Sequence, residues 1–494
     1  MITEQGLNLD PDERQLCADC VGEIFLAAKI EKSGNDAMCS YCGNDIKSFS
    51  VAQMADLMET LFEQHFDLTE EYPSGYELAM MNEYGWERHG DPVVDVIEGY
   101  AEINRSAAED IQSELASRHY DYELAKMGEE GPFDEDAHYE EKGVDDYESR
   151  AGWTRFEESL TLEGRYFNRT AEDILRSTFE NLVEHKTADG LPVIVSAGPG
   201  TNLEVVYRAR VFQSDEKLEE ALKWPDREIG PPPALAAFGG RMNAHGIAVF
   251  YGATDPSIAL AEVRPPVGAK VLVGRFRIRR SVRLLDIEGL QSVYAKGSLF
   301  DPDYLRRLKR AKFLRWLSGQ ITQPVMPDDE RFGYLATQAM ADFLATHADP
   351  PLDGIIYPTV QGSDGKANVV LFHKASRVEK LQIADKAQIS VSLSWSTEEE
   401  EEEKPNYMVW EEVNHEANES AVTIPFQAFP ASPVYPPEEY DQRESTLRLD
   451  VSSLKVHHIA SVQFKTASYD VTRHLIERES KKPDETTLEE PLEF

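Results

Sequence analysis

Two groups of residues in this 494-residue chain have the types and spacing to do chemistry. The first is scattered between residues 205 and 263. In the strand-like run VVYRARVF, Arg208 and Arg210 alternate onto one side, about 6 to 7 Å apart, and paired guanidiniums suit bidentate phosphate recognition. In FGGRMNAHG, Gly239, Gly240 and Gly246 let the backbone approach a ligand closely, while Arg241 and Asn243 supply donors. The run GIAVFY then ends at Tyr251, and Asp255 with Pro256 reads as the N-cap and first-turn proline of a short helix reaching about Val263. That helix, PSIALAEV, is apolar except for Glu262, which is therefore either a buried ion-pair partner or a functional acid; both roles need a nearby cation. In a chain with ninety acids the arginines can equally be plain salt-bridge partners. His245 lies in the glycine-rich loop and is placed to touch a ligand, whereas His457 and His458 read as structural.

The second group is C-x-x-C, 18 intervening residues, and C-x-x-C again: Cys17, Cys20, Cys39 and Cys42. Two thiolate pairs at this spacing close a tetrahedron around one zinc ion, with Gly43 suited to the tight turn beyond. Four thiolates leave no coordination position for substrate, so the expected zinc is structural. No other cysteine is present for a disulfide framework, which fits a reducing compartment. The opening residues MITEQGLNLDPDER have neither a basic start nor an apolar signal core, and no apolar run approaches the 18 or so residues of a membrane span. A cytoplasmic protein without membrane association is expected.

The elements that must position these residues are of two textures. Val51, Met54, Leu57, Met58, Leu61 and Phe62 recur at helical spacing behind a Ser50 to Gln53 capping box; a second helical run covers Val93 to Leu115 and a third follows Thr170. The acidic stretch from Glu129 to Ser149 reads as a solvated loop. Beyond Gly190 come short β-rich segments, VVYRARVF, GIAVFY, KVLVGRFRI, VRLLD, DGIIYP and NVVLF, interrupted by helical patterns at Tyr304 to Leu317 and Tyr334 to Leu344. The expected fold class is α+β, divided into a zinc ribbon (1–48), a helical domain (49–190) and a sheet-domain core (191–385). An acidic and proline-rich insertion or linker (386–441), a segment returning to the sheet domain (442–478) and an acidic tail (479–494) follow.

Charge narrows the partners. A net charge of −40 repels a phosphate backbone, so general nucleic-acid binding is not expected. Against that background, Arg264 to Arg315 holds fourteen basic residues and four acids, a positive island partly accounted for by one helix carrying Arg306, Arg307, Lys309, Arg310, Lys312 and Arg315.

The ordered series YRAR at 207–210, GPPP at 230–233, GGRMNAHGIAVFYGA at 239–253, ALAEVRPP at 259–266, and DGIIYPT with NVVLF at 353–372 resembles the RES domain. The resemblance implies an ADP-ribosyltransferase-like fold and membership among bacterial NAD-degrading toxins. It implies that Arg241, Tyr251 and Glu262 are site residues, with Arg208 and Asn243 beside the dinucleotide. The family serine falls at Thr359, with Ser363 as the other candidate. NAD⁺ is then the substrate: Glu262 steadies an oxocarbenium-like ribose as nicotinamide departs, Arg208 and Arg241 hold the pyrophosphate, Tyr251 stacks on the ring, and no metal takes part. Water, phosphate or a protein can capture the ribosyl group, so a glycohydrolase or phosphorylase-like enzyme, an ADP-ribosyltransferase acting on a protein, and a non-catalytic NAD- or protein-binding module are the readings carried forward. The residues before 190 resemble the HEPN-like region found ahead of some RES domains, but they lack an Arg followed by four to six residues and a His, which disfavours RNase chemistry. A toxin also implies restraint, and a separate antitoxin of the Xre type is the implied partner.

Overall fold

The computed structural model describes residues 14–78, 86–359, 365–384, 387–395, 404–413, 441–463 and 466–475. Near the N-terminus, β1 (Gln15–Cys17), β2 (Asn35–Met38) and β3 (Asp45–Ser50) form an antiparallel sheet of order β1-β3-β2, with α1 (Ile24–Ser33) between the first two. Ser50 then starts α2 (Val51–His65): its hydroxyl accepts the Gln53 N–H while the Gln53 side chain accepts the Ser50 N–H. The helical run from Val93 is two helices, α3 (Val93–Ala101) and α4 (Arg105–Arg118), because Glu102 turns left-handed at φ 51° and Asn104 caps the second helix through the Ala107 N–H. Leu16, Ile30, Met54, Ile97 and Ile111 belong to a single buried cluster. The cysteine-bearing segment therefore shares its core with the helices, and the expected boundary at residue 48 does not divide the packing.

The acidic stretch is not simply a loop. Its middle forms β6 (His138–Glu141), which pairs with β4 (Phe66–Leu68) and β5 (Asp91–Pro92), and its end opens α5 (Tyr147–Leu162). Phe133, Ala137 and Tyr139 are buried in the core while the intervening acids face solvent, so a few apolar side chains suffice to order a charged segment. A second correction concerns α5 and α6 (Arg169–Phe179), expected within a helical domain ending at 190. Trp153, Phe156, Leu175 and Phe179 lie in the same core as Leu285, Leu314, Met340 and Phe343 of the later half.

That later half is built on an eight-stranded sheet of order β16-β10-β8-β9-β13-β12-β11-β7. Its strands are β7 (Ile194–Ala197), β8 (Val205–Phe212), β9 (Phe250–Ala253), β10 (Lys270–Ile278), β11 (Val282–Asp286), β12 (Gly354–Pro358), β13 (Ala367–Leu371) and β16 (Leu447–His458). Only the β11–β12 neighbours run parallel. Pairing puts Tyr251 beside Val370, Ala253 beside both Asn368 and Tyr207, and Tyr357 beside Asn368, so these residues share one face. Phe250, Val369, Leu371 and Val206 occupy the other, packed with α7 (Asp215–Lys223). On the Tyr251 face lie α8 (Pro256–Glu262), α9 (Tyr304–Thr322) and α10 (Leu335–Thr346).

Within the expected linker at 386–441, β14 (Ala387–Trp395) and β15 (Lys404–Val413) form a hairpin. The alternation of Ile389, Val391 and Leu393 with serines is the strand signal there, and Val391, Leu393 and Tyr407 pack against the core of Val206 and Phe276. The six consecutive glutamates at 398–403, the proline-rich tract at 414–440, Ser363 and the tail at 479–494 lie outside the described residues.

The positive island is largely engaged with protein groups. Arg306 pairs with Asp303 and Arg307 with Asp301, Arg310 binds the carbonyls of Thr178 and Glu180, and Lys312 binds the Val144 carbonyl. Helix α9 thus fastens the N-terminal half to the sheet. Among the described residues no helix is long and apolar enough to cross a membrane.

Candidate active site

On the Tyr251 face, a cleft of about 290 Å³ opens between the glycine-rich loop, the end of α8, the strands β12 and β13, and the segment leading from α9 to α10. Gly239, Gly240, Arg241, Tyr251 and Glu262 all line it, together with Arg264, Tyr334, Tyr357, Pro358 and Asn368. Arg241, Tyr251 and Glu262 are therefore brought together from three elements spread over 22 residues of sequence.

The loop is built around Tyr251. Its hydroxyl donates to Asn243 Oδ1 at 2.8 Å and accepts the Met242 N–H at 3.0 Å. A Cβ at Gly240 would stand 2.6 Å from that hydroxyl and 2.9 Å from Asn243 Oδ1, so only glycine allows the approach. From the other side Gln338 donates to the Gly240 carbonyl at 2.8 Å and Thr337 to the Arg241 carbonyl at 2.7 Å. Burial pushes the Tyr251 phenol up to about 12, so it remains a neutral donor at neutral pH.

Arg241 is itself held: its guanidinium donates to the Ile321 carbonyl and, at 2.8 Å, to the Gln323 carbonyl, and it lies 5.3 Å from the Tyr334 ring centroid. Its remaining guanidinium donors have no hydrogen-bond partner among the described residues, and the cleft lining carries two cations, Arg241 and Arg264, with two acids, Glu262 and Glu330. Glu262 is the last residue of α8, whose N-cap Asp255 accepts the Ser257 N–H at 2.8 Å. It is exposed, and its recorded partner is Asn368 Nδ2 at 3.3 Å. Among the described residues it has no ion pair, which removes the buried-ion-pair alternative. Beside it, burial and the Glu262 carboxylate both raise the pKa of Tyr357, keeping that phenol protonated.

Two residues assigned to the dinucleotide are placed elsewhere. Arg208 stands on the sheet face opposite the cleft, because Tyr207, its neighbour, pairs with Ala253 on the cleft face. Its guanidinium donates to the Tyr251 carbonyl at 2.9 Å, lies 5.2 Å from the Phe250 ring centroid, and is drawn by burial down to about 10. Arg210, on the same face, pairs with Glu228. Asn243 is 3% exposed and spends its amide on the carbonyls of Phe238, Ala244 and Ile247. Thr359 follows the cleft-lining Pro358 but is not itself in the lining. His245 is tied to the Ala237 carbonyl and stacks on Phe238.

Arg264, Glu330, Tyr334, Tyr357 and Asn368 are among the cleft residues that sequence reasoning missed. Arg264 has φ 44°, two residues past Glu262; its N–H donates to the Ala261 carbonyl at 3.1 Å, and its guanidinium has neither an ion pair nor a hydrogen bond among the described residues. Asn368 was signalled by being the one polar side chain in the buried strand ANVVL.

The four cysteine sulfurs lie within 4.8 Å of one another, with Cys17 to Cys42 at 3.5 Å and Cys20 to Cys39 at 3.9 Å. Four ligands at a Zn–S distance of about 2.3 Å set sulfurs about 3.8 Å apart in a regular tetrahedron, so the group fits a closed metal site. Gly43, at φ 77°, donates to the Cys39 carbonyl and makes the turn that carries Cys42 back.

Residues 206–396 match the family model of the RES domain, a domain usually associated with NAD-related enzymatic activity. The match spans every residue lining the cleft, while β7 and β16 extend the sheet beyond it on either side. No curated protein and no solved structure matches the chain.

Proposed function

We propose that this protein is an NAD⁺ glycohydrolase of RES type, acting in the cleft that holds Glu262. The observation that carries the reading is an exposed carboxylate with no ion pair among the described residues, sharing one hollow with Arg241 and Arg264 inside the RES-matching segment. Breaking the nicotinamide–ribose bond releases neutral nicotinamide and leaves positive charge spread over the ribose ring. Glu262 opposes that charge and orients the ribose hydroxyls, as carboxylates do in glycoside cleavage. Asn368 holds the carboxylate in place. The spare donors of Arg241 and the unengaged guanidinium of Arg264 take the pyrophosphate, and the neutral phenol of Tyr357 offers one more donor. Tyr251 shapes the loop and lines the wall against which the pyridine lies. Water is the acceptor, entering through the open side of the cleft.

The four thiolates hold zinc as a structural ion, remote from this chemistry. The N-terminal half serves as a HEPN-like platform without nuclease activity, and a separate protein of the Xre type restrains the enzyme in the cell.

Purified protein incubated with NAD⁺ is expected to release nicotinamide and ADP-ribose, identified by mass spectrometry. Glu262→Gln is expected to lower turnover about 100-fold or more. Accumulation of ADP-ribose 1-phosphate in phosphate buffer identifies a phosphorylase instead, and labelled ADP-ribose on a protein identifies a transferase. Intact NAD⁺ with every acceptor refutes the reading.

A further inference from the structure

A second cavity, of about 570 Å³, lies where the segment after α6 meets the N-terminal part of α9. Nothing in the chemistry proposed for the first cleft uses it. Five cations border it: Lys186, Lys296, Arg306, Arg307 and Arg310. Three acids, Glu180, Glu184 and Asp303, border it as well, but their distribution leaves part of the wall uncompensated. Arg306 pairs with Asp303, Arg307 with Asp301 and Arg310 with Glu180, whereas Lys186 and Lys296 have no ion pair among the described residues. A positive hollow in a chain of net charge −40 concentrates small anions.

Two residues of its wall also carry orphaned atoms just beneath the surface. His185 Nε2 and Arg310 Nε are both screened from solvent without a hydrogen-bond partner, and buried polar atoms of this kind are nearly always satisfied by protein, water or ligand. Burial and the nearby Arg310 hold His185 neutral at neutral pH, so its ring adds no charge to the wall. Next to the lysines Tyr294 is 53% exposed, an aromatic face with no packing partner recorded among the described residues. Cations for phosphate and a flat ring for a base are the parts a nucleotide site requires.

We propose that this cavity is a second ligand site, distinct from the first cleft, that binds a nucleoside diphosphate, with Lys186, Lys296 and Arg306 on the phosphates and Tyr294 against the base.

The test is calorimetric titration of the full-length protein with ADP and, separately, with inorganic pyrophosphate. Both titrations are done in wild type and in Arg241→Ala, which weakens anion binding in the first cleft. ADP is expected to bind in both backgrounds. It should lose about tenfold or more in affinity in Lys186→Glu/Lys296→Glu, two exposed positions whose reversal leaves the core intact. Tyr294→Ala is expected to weaken ADP about tenfold while leaving pyrophosphate unchanged. Absence of ADP binding, or binding lost in Arg241→Ala and untouched by the lysine reversals, overturns the proposal. Equal affinity for pyrophosphate and ADP overturns the assignment to a nucleotide. Because the readout is binding heat, the result does not depend on whether the first cleft cleaves NAD⁺.

Discussion

The Arg208 guanidinium binds the Tyr251 carbonyl from the face of the sheet opposite to the one on which the Tyr251 ring meets the cleft. One arginine thus braces the floor of the cleft from below. Arg208→Ala is expected to leave that carbonyl without its donor and to destabilise the protein by about 1–3 kcal/mol, read as a shifted urea midpoint. Its effect on the KM for NAD⁺ should be small. Arg264→Ala is expected to do the reverse, raising KM about tenfold through a lost phosphate contact with no change in the midpoint. A raised KM in Arg208→Ala at unchanged stability would transfer the dinucleotide role to it.

Tyr251→Phe deletes a hydroxyl that serves Asn243 Oδ1 and the Met242 N–H together. Both are left unsatisfied next to a 3% exposed Asn243, so a loss of about 2–3 kcal/mol is expected. The ring itself stays in place. Thermal melting checks the stability, and activity should fall with it as the glycine-rich loop loosens.

Zinc content, measured by mass spectrometry of the native protein, is expected to be one ion per chain. Cys20→Ser/Cys39→Ser should lose it. Because Leu16 and Ile30 share their core with Met54 and Ile111, metal loss is expected to expose amides of α1, α2, α3 and α4 in hydrogen exchange, while the eight-stranded sheet stays protected. Structural zinc supplies on the order of 10 kcal/mol in small domains.

His185 gives a pH signature of its own. Its folded-state pKa, about 4, lies below its ordinary value of 6.5 because burial and Arg310 oppose the charged form. Between those values the unfolded chain binds the proton and the folded chain does not. The stability from neutral His185 is therefore full above about 6.5 and is lost as pH falls toward 4. Differential melting of wild type and His185→Gln should show the gap shrinking across that window; a gap independent of pH would refute the assignment.

Much of the sheet was legible because alternation and length are local properties. VVYRARVF, KVLVGRFRI and VRLLD coincide with their strands from end to end, and Asp255 with Pro256 announced the helix that presents Glu262. GIAVFY was less faithful, since residues 246–249 form the approach to β9 and not part of it. What local pattern could not supply was the relation between strands. Alternation placed Arg208 and Arg210 on a common side, but only the Tyr207 to Ala253 register reveals that this side is turned away from the cleft. Asn368 and Tyr357 meet Glu262 through pairings more than 90 residues along the chain, beyond the reach of any local periodicity. The acidic run misled for a related reason: ten acids drew the eye, while Phe133 and Tyr139 had already committed the segment to the core.

Helix α9 reaches both hollows. Its 19 residues span about 28 Å; Arg306 and Arg310 border the larger cavity near one end, and at the other the Ile321 carbonyl, with Gln323 just beyond, grips Arg241. With no loop between them, the residues that border the larger cavity and the carbonyl that holds Arg241, 65 residues earlier in the sequence than Arg306, sit on one continuous helix.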